Sequence, residues 1–142
     1  MSLLFDTNVV SEWTKPKPHP RFVHWIGSID SDEAHLSVVT LAEVQRGIER
    51  LPQGRRREQL FGWLSTELID LFAERIIGVD RSIAAEWARL MARCEATGKP
   101  MGSMDGFLAA TAAVHGLTLV TRNVGNFAAS GIALPNPWTM NP

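Results

Sequence analysis

Four polar side chains stand where the chain could bring them together. Asp6 follows the first short apolar run, and Asn123 follows the most strand-like segment of the sequence. Glu43 and Asp105 fall in predicted helices, and Asp105 lies in a first turn, where free backbone N–H groups favour negative charge. Clustered carboxylates raise one another's pKa unless a cation holds them. Because oxygen ligands suit Mg²⁺ or Mn²⁺, these residues predict a site for such an ion and for a phosphate group.

Each acid also has an ordinary structural explanation. Asp6 could cap the helix that follows it, and Asp105 could be a common first-turn helix acid. Glu43 could pair with Arg46 on a solvated helix face or complete a capping box with Thr40. Taken singly, these explanations are sufficient. The convergence of all three acids on one edge of a sheet is what favours a functional site.

Alternating short strands and helices position these residues. Such alternation predicts an α/β fold with a parallel sheet and helices on both faces. Ligands of these sheets gather at the carboxyl ends of the strands, near the point where the strand order reverses. The predicted strands are residues 3–5, 34–38, 76–79 and 117–121, with a last edge strand at 132–134. The predicted helices are residues 7–13, 21–29, 55–72 and 104–115, the last capped by Ser103, with one beginning at Thr40 and one running from Asp80 or Ser82 to about Ala96.

The composition narrows the class of protein. The chain has 142 residues, which suits one domain over 1–142, and 14 Lys and Arg against 15 Asp and Glu give a net charge of −1. That balance excludes a strongly basic nucleic-acid coat but not a local basic patch. Cys94 is the only cysteine, which excludes an internal disulfide and a cysteine zinc site. No signal peptide or membrane span is predicted, so we expect a cytoplasmic protein.

Four ordered blocks carry a family resemblance. They are residues 4–12 with Asp6-Thr7-Asn8, residues 36–47 with Glu43, the acid Asp105, and residues 117–127 with Asn123. In this order and spacing they resemble the signatures of the PIN-domain ribonucleases, and specifically the VapC toxin branch that includes FitB-like proteins. The resemblance extends over essentially the whole chain. It implies a PIN-like three-layer α/β/α fold with a short, mainly parallel central sheet.

The resemblance also implies a site and a reaction. It makes Asp6, Glu43 and Asp105 the catalytic, metal-binding acids of a Mg²⁺-dependent endoribonuclease, with Mn²⁺ as a substitute. Asp6 and Asp105 are then expected to hold the metal directly, while Glu43 ligates it or positions the water. Thr7 is expected to orient this shell by hydrogen bonds.

Two asparagines depart from the family pattern. The weaker catalytic position, Asn123, is commonly an acid in relatives, and Asn126 stands at a supporting position where many have Asp. An asparagine can ligate a metal or hold a water, but it cannot act as a base at neutral pH. The two asparagines therefore argue against binding of a second metal ion more than against binding of the first.

The family resemblance and the basic residues indicate which partners to expect. The resemblance implies a toxin of a VapBC-type module that a cognate VapB/FitA-like antitoxin neutralises. We expect a homodimer, a higher assembly with the antitoxin, and no membrane association. The apolar positions of residues 60–72 predict a groove or face for such a partner. Residues that could contact RNA phosphates are Arg46, Arg55, Arg56, Arg57, Lys99 and Arg122. For 55–57, a solvated helix start explains the run equally well.

Two other functions stay open at this point. One is a catalytically weakened PIN-fold module that binds RNA or a partner, which Asn123 and Asn126 support. The other is a receiver- or phosphatase-like protein with Asp6 as phosphoryl acceptor. Against the latter, Asp6-Thr7-Asn8 lacks the paired aspartates of that phosphatase type, and no lysine follows the last clear strand.

Overall fold

Four short strands form one parallel sheet in a computed structural model that describes residues 2–130 and 135–139. The strands are β1 (Leu3–Phe5), β2 (Ala34–Ser37), β3 (Ile76–Ile77) and β4 (Thr118–Val120). Their order is β3-β2-β1-β4, and all neighbours are parallel. The order therefore reverses beside β1, where β4 pairs with Leu3–Phe5 through Thr118–Val120. The segments after β1 and β4 meet at this reversal.

Helices cover both faces of the sheet. They are α1 (Thr7–Glu12), α2 (Pro20–Ser28), α3 (Val38–Glu49), α4 (Arg55–Gly62), α5 (Ile69–Phe72), α6 (Arg81–Ala96), α7 (Ser103–His115) and α8 (Val124–Phe127). A π-helical turn, Trp63–Leu68, joins α4 to α5, so the helix predicted over 55–72 is continuous but locally underwound. Among the described residues, no helix has the length and apolar character that crossing a membrane requires.

The pleat of β1 divides the core in two. Leu3 and Phe5 point to one face, where they pack with Phe22 and Phe72, while Leu4 packs on the other face with Leu119. Successive strand residues face opposite sides, so a strand buried on both faces must be apolar throughout. Helix layers lie on either side of the sheet, which confirms the predicted three-layer α/β/α fold.

Several predicted boundaries differ from the structure. Helix α3 begins at Val38 rather than Thr40, because the Ser37 hydroxyl caps it by accepting a hydrogen bond from the Val39 N–H at 3.0 Å. The capping box of Thr40 with Glu43 is therefore wrong, since both lie inside the helix. Ser103 is the first residue of α7 and not its cap. The predicted edge strand 132–134 lies outside the described residues.

Candidate active site

Asp6 occupies the reversal point of the sheet, directly after β1. It is 5% exposed, and it is the N-cap of α1, with its Oδ1 accepting the Thr7 N–H at 2.7 Å. Its Oδ2 accepts hydrogen bonds from the Thr121 hydroxyl at 2.7 Å and the Asn8 amide at 3.2 Å. Burial raises the pKa of Asp6, while the bonds from Thr121, Thr7 and Asn8 oppose that rise. The carboxylate is thus held by three donors in a fixed orientation.

Thr121 and Asn8 join the ends of β1 and β4. The Asn8 amide donates to the Thr121 hydroxyl at 3.3 Å, and the Asn8 Oδ1 accepts the Arg122 N–H at 3.1 Å. Thr121 is fully buried. These two residues were not among the predicted site residues. The signal that could have found them is the pairing of the strands, because Phe5 is opposite Val120, which places the next residues, Asp6 and Thr121, side by side.

Glu43 reaches the same site from α3. Its Oε1 accepts a hydrogen bond from the Thr7 hydroxyl at 3.0 Å. Burial and the negative charge of Asp6 raise the pKa of Glu43, whereas the Thr7 bond and the positive charge of Arg46 lower it. Thr7 therefore touches both acids, through its N–H to Asp6 and its hydroxyl to Glu43.

Asp105 completes the group from the first turn of α7. Burial, followed by the negative charges of Asp6 and Glu43, raises its pKa to about 6. Within the described part of the chain, no hydrogen-bond donor reaches this carboxylate. Asp105 is thus the acid with the least compensation for its charge, and it is the one that a cation would stabilise most.

The donor chemistry of the three acids fits Mg²⁺ or Mn²⁺. All donors are carboxylate oxygens, and their mutual repulsion is the situation that a bound cation relieves. No three Asp, Glu, His or Cys side chains within residues 2–130 and 135–139 are close enough to surround one ion together. Mg²⁺ needs fewer protein ligands, since it keeps several waters and binds through one or two carboxylates.

Asn123 and Asn126 lie beside the site without contacting the acids. Both are exposed. The Asn123 N–H donates to the Thr121 hydroxyl at 3.0 Å, and the Asn126 N–H donates to the Asn123 carbonyl at 3.0 Å. The link from this segment to Asp6 thus runs through the Thr121 side chain and the Asn123 backbone. A direct role for either asparagine side chain stays a prediction.

Two of the predicted RNA-contacting side chains are engaged with neighbouring residues. Arg57 donates to Glu49 Oε1 at 2.9 Å and lies 5.1 Å from the centre of the Phe61 ring. Arg122 lies 5.3 Å above the Trp138 ring. The remaining members of the predicted RNA-contacting set are exposed: Arg46, Arg55, Arg56 and Lys99.

Asp6 is poorly suited to accept a phosphoryl group. Its oxygens are buried and already accept three hydrogen bonds, from Thr7, Asn8 and Thr121. In-line attack on a phosphorus atom needs an exposed carboxylate oxygen. The receiver- or phosphatase-like alternative therefore has no support in this geometry.

Comparison with known proteins gives a consistent result. The PIN domain family model matches residues 3–129. Toxin FitB of Neisseria gonorrhoeae is 38% identical over 136 residues, covering 96% of this chain and 98% of FitB. The VapC ribonuclease Y4jK of Sinorhizobium fredii is 35% identical over 136 residues, covering 96% of this chain and 97% of that protein. The crystal structure of FitAcB from Neisseria gonorrhoeae superposes with a TM-score of 0.92 at 38% identity, covering 97% of this chain and 99% of that one.

Proposed function

This chain belongs to the PIN-domain family, and we propose that it is a divalent-metal-dependent endoribonuclease that hydrolyses RNA phosphodiester bonds as the toxin of a VapBC-type toxin–antitoxin module. It is a homologue of the FitB toxin and of VapC ribonucleases. Because the relatives include a VapC ribonuclease, they support nuclease activity in this chain. We add to this the dependence on a divalent metal and the RNA substrate.

One observation carries the proposal. Thr7 holds two carboxylates from separate elements, Asp6 and Glu43, at the reversal point of a parallel sheet, and the negative charges of both raise the pKa of Asp105. Burial and repulsion of this kind destabilise the apo protein, and a structural role would not require them. A cation bound there would offset the repulsion and attract a phosphodiester.

The residues would divide the work as follows. Asp6 and Asp105 would hold the ion, and Glu43 would bind it or orient the attacking water. A bound Mg²⁺ or Mn²⁺ would lower the pKa of that water and neutralise charge on the leaving oxygen. Thr7, Asn8 and Thr121 would keep Asp6 and Glu43 in place, because their hydrogen bonds fix both carboxylates.

A toxin must be restrained in the cell that makes it, so we propose a cognate VapB/FitA-like antitoxin. From the family resemblance we also propose a homodimer. The surface best suited to such a partner lies on α5. Ile69 and Leu71 are 38% and 52% exposed there, while Leu64, Leu68 and Phe72 of the same segment are buried in the core. Ile69 and Leu71 are the exposed large apolar side chains of the predicted segment 60–72, and they are its candidate contacts with a partner.

A second candidate is a catalytically weakened PIN module that binds RNA or a partner. Asn123 and Asn126 favour it, because the segment after β4 brings no carboxylate to the site. An RNA-cleavage assay with increasing Mn²⁺ separates the two functions. Cleavage that depends on Mn²⁺ and stops with a chelator supports the nuclease, and its absence at every concentration supports the binding module.

The residue assignment is tested with matched variants. Asp6→Asn and Asp105→Asn are expected to lose at least about a hundredfold in cleavage rate, because each removes a metal-binding charge. Asp70→Asn is the control, since Asp70 is an exposed acid on α5 outside the cluster. All three proteins should keep the circular dichroism of the wild type. Full activity in either site variant would remove that acid from the site.

A further inference from the structure

A groove leads away from the acids along α1, α3 and the end of α4. Its volume is 370 Å³, and its walls include Thr7, Ser11, Thr14, Glu43, Leu60 and Trp63. We call it the Trp63 groove. Two of its lining residues connect it to the candidate site, because the Thr7 hydroxyl donates a 3.0 Å hydrogen bond to Glu43 and the Thr7 N–H donates to Asp6.

The position of the groove beside Glu43 indicates which part of an RNA substrate could enter it. An RNA phosphodiester at the acids carries a nucleoside on each side, and each base lies within one nucleotide of the phosphorus. Because Glu43 and Thr7 also line the groove, one of these nucleosides can reach it.

The lining suits a flat, partly polar group. Leu60 and Trp63 give the groove apolar surface, and both side chains are partly buried against the core. The π-helical turn begins at Trp63, so the indole sits where the helix is locally widened. Ser11 also lines the groove, and within the described residues its hydroxyl makes no hydrogen bond. An aromatic side chain and a free hydroxyl in one groove can bind a base and its ribose.

A second cavity continues outward from the same platform. It shares Thr14, Leu60 and Trp63 with the groove, and its other lining residues are Trp13, Arg56, Gln59 and Glu67. Arg56 and Gln59 are exposed. A guanidinium one step beyond an aromatic platform is placed for the next backbone phosphate, and an amide can bond a base edge.

We propose that the Trp63 groove is a nucleobase subsite, in which the base next to the scissile phosphate stacks on Trp63 and its ribose hydroxyl meets Ser11 or Thr14. The inference rests on the proposed ribonuclease function and specifies its substrate. The base in the groove must be unpaired, because a base in a duplex cannot leave its neighbours to stack on a side chain. Trp63 is then a determinant of where the enzyme cuts.

Gly47 offers a position from which the groove can be filled. It lines the groove from α3, and a Cβ at this position meets no atom within 4 Å. Gly47→Phe therefore adds a ring at the groove without a Cβ clash, and abasic substrates separate filling of the groove from an effect on Glu43, which lies one helical turn away. Gly27→Phe is the matched control, because Gly27 is also a helical glycine with open space, on α2 away from the groove.

The experiment measures kcat and KM on a short synthetic single-stranded RNA that contains a mapped cleavage site. Two further substrates carry an abasic ribose on one or the other side of the scissile phosphate. For the wild type, we expect one abasic position to lower kcat/KM about tenfold or more, since stacking of one base on an aromatic side chain has that magnitude. Gly47→Phe should lose a similar factor on intact RNA and little more on the abasic RNA.

Trp63 variants give a second measurement. Trp63→Phe keeps an aromatic side chain and should retain most of the activity. Trp63→Ala should lower kcat/KM on intact RNA by about the same factor as removal of the base does. Because Trp63 also contacts the core, thermal unfolding is measured alongside, and Gly47→Phe decides the question if Trp63→Ala fails to fold. Equal losses on intact and abasic RNA in the Gly47→Phe variant would overturn the subsite.

Other occupants of the groove would produce different results. If Gly47→Phe leaves RNA cleavage unchanged but prevents antitoxin binding or dimer formation, the groove belongs to a protein partner and the subsite is wrong. If the wild type cleaves no RNA with Mn²⁺, the proposed function fails. In that case the anisotropy of fluorescently labelled RNA tests the groove separately, and equal affinity of wild type and Gly47→Phe overturns it.

Discussion

The two oxygens of Asp6 have different structural tasks. Oδ1 accepts the Thr7 N–H and caps α1, while Oδ2 accepts from Thr121 and Asn8. An ionised carboxylate offers about four acceptor positions, so these three bonds leave capacity for a cation. The capping explanation of Asp6 is therefore correct and compatible with a metal-binding role. The cap and the strand-bridging bonds orient the side chain before any ion arrives.

Thr121→Val tests this orientation by removing one hydroxyl group. The substitution keeps the shape of the side chain and removes the 2.7 Å bond to Asp6 Oδ2, together with the acceptor of the Asn8 amide and of the Asn123 N–H. Loss of a group that orients a metal ligand lowers metal affinity or activity about ten- to a hundredfold. We expect the Mn²⁺ concentration for half-maximal RNA cleavage to rise by such a factor, as measured by metal titration.

Thr111→Val is the matched control for that experiment. Thr111 is as completely buried, but its hydroxyl donates to the Phe107 carbonyl within α7. Thr111→Val loses one hydrogen bond and Thr121→Val loses three, so both should lose some stability. Only Thr121→Val should change the Mn²⁺ dependence. A similar change in the Thr111 variant would mean that lower stability, and not orientation of Asp6, is responsible.

Asp105 predicts a pH dependence of stability in a buffer free of divalent metal. Its pKa is about 6 in the folded protein against 3.8 for the ordinary residue, so the folded state binds the proton more tightly. The stabilising contribution is complete below pH 3.8 and is lost as the pH rises through 6. At pH 7, Asp105→Asn should therefore raise the Tm, by about 2 °C, since solvent screens this half-buried group.

The difference in Tm between Asp105→Asn and the wild type should depend on pH and on bound metal. Below about pH 4, where Asp105 is protonated, the Tm values of variant and wild type should converge. Added Mn²⁺ should raise the Tm of the wild type more than that of Asp105→Asn, because the ion stabilises only the protein that binds it. A wild type more stable than the variant at pH 7 without metal would contradict the assigned repulsion.

The sequence indicates the candidate acids more clearly than the residues that hold them by hydrogen bonds. Asp6 follows from the rule that sites form at the carboxyl ends of parallel strands, whereas Asp105 follows from its place in a helix first turn and from the family resemblance. Asn8 and Thr121 are common residue types, and their contact spans 113 positions of the chain. It depends on the register of β1 against β4, which the hydrophobic pattern of two short strands does not determine.

At the scale of elements, α6 and α7 approach each other at Gly106. A Cβ there would lie 2.7 Å from Met91 Sδ and 3.0 Å from Trp87 Nε1. The methionine can move, but the indole is held by stacking on Phe107 at 4.8 Å and by a 3.1 Å bond to the Ser103 carbonyl. The glycine thus fixes how closely α7 packs, and with it the position of the neighbouring Asp105.

Gly106→Ala should consequently lower both stability and activity. Overpacking at a helix contact costs about 1–3 kcal/mol of unfolding free energy, measurable by urea denaturation. Gly62→Ala is the control, because Gly62 is helical and a Cβ there meets nothing within 4 Å. That variant should gain up to about 1 kcal/mol, since alanine is the better helix former. Equal effects of the two substitutions would mean that Gly106 is not a packing constraint.

The boundaries of elements show where local patterns are insufficient. Ser37 and Thr40 are both good helix caps, and the β-branched Val38 and Val39 between them favour a strand. The structure uses Ser37, because β2 ends there and its hydroxyl meets the Val39 N–H. The π-helical turn at Trp63–Leu68 has no sequence signal of its own. It arises inside a helix whose Leu64, Leu68 and Phe72 are all buried in one core.

For the whole molecule, the net charge of −1 conceals an uneven distribution. Three of the 15 acids lie in the site, and no acid follows Asp105 in the sequence. The remainder of the chain is mildly positive, which suits an enzyme that approaches a polyanion. The structure sharpens this picture, because only side chains without partners are free to contact phosphates. Arg57 is engaged with Glu49 and Phe61, whereas Arg55 and Arg56 are exposed.

The dependence of RNA affinity on salt therefore distinguishes these arginines. Replacing Arg55 and Arg56 with alanine should reduce the slope of log K against log salt by about 0.7 for each phosphate that the protein ceases to neutralise. Arg57→Ala should leave the slope unchanged but lower stability, since it removes the pairing with Glu49 and the stacking on Phe61. Affinities are measured by fluorescence anisotropy with the Asp6→Asn protein, which leaves the RNA intact. An unchanged slope in the Arg55/Arg56 variant would show that this patch is a solvated helix start.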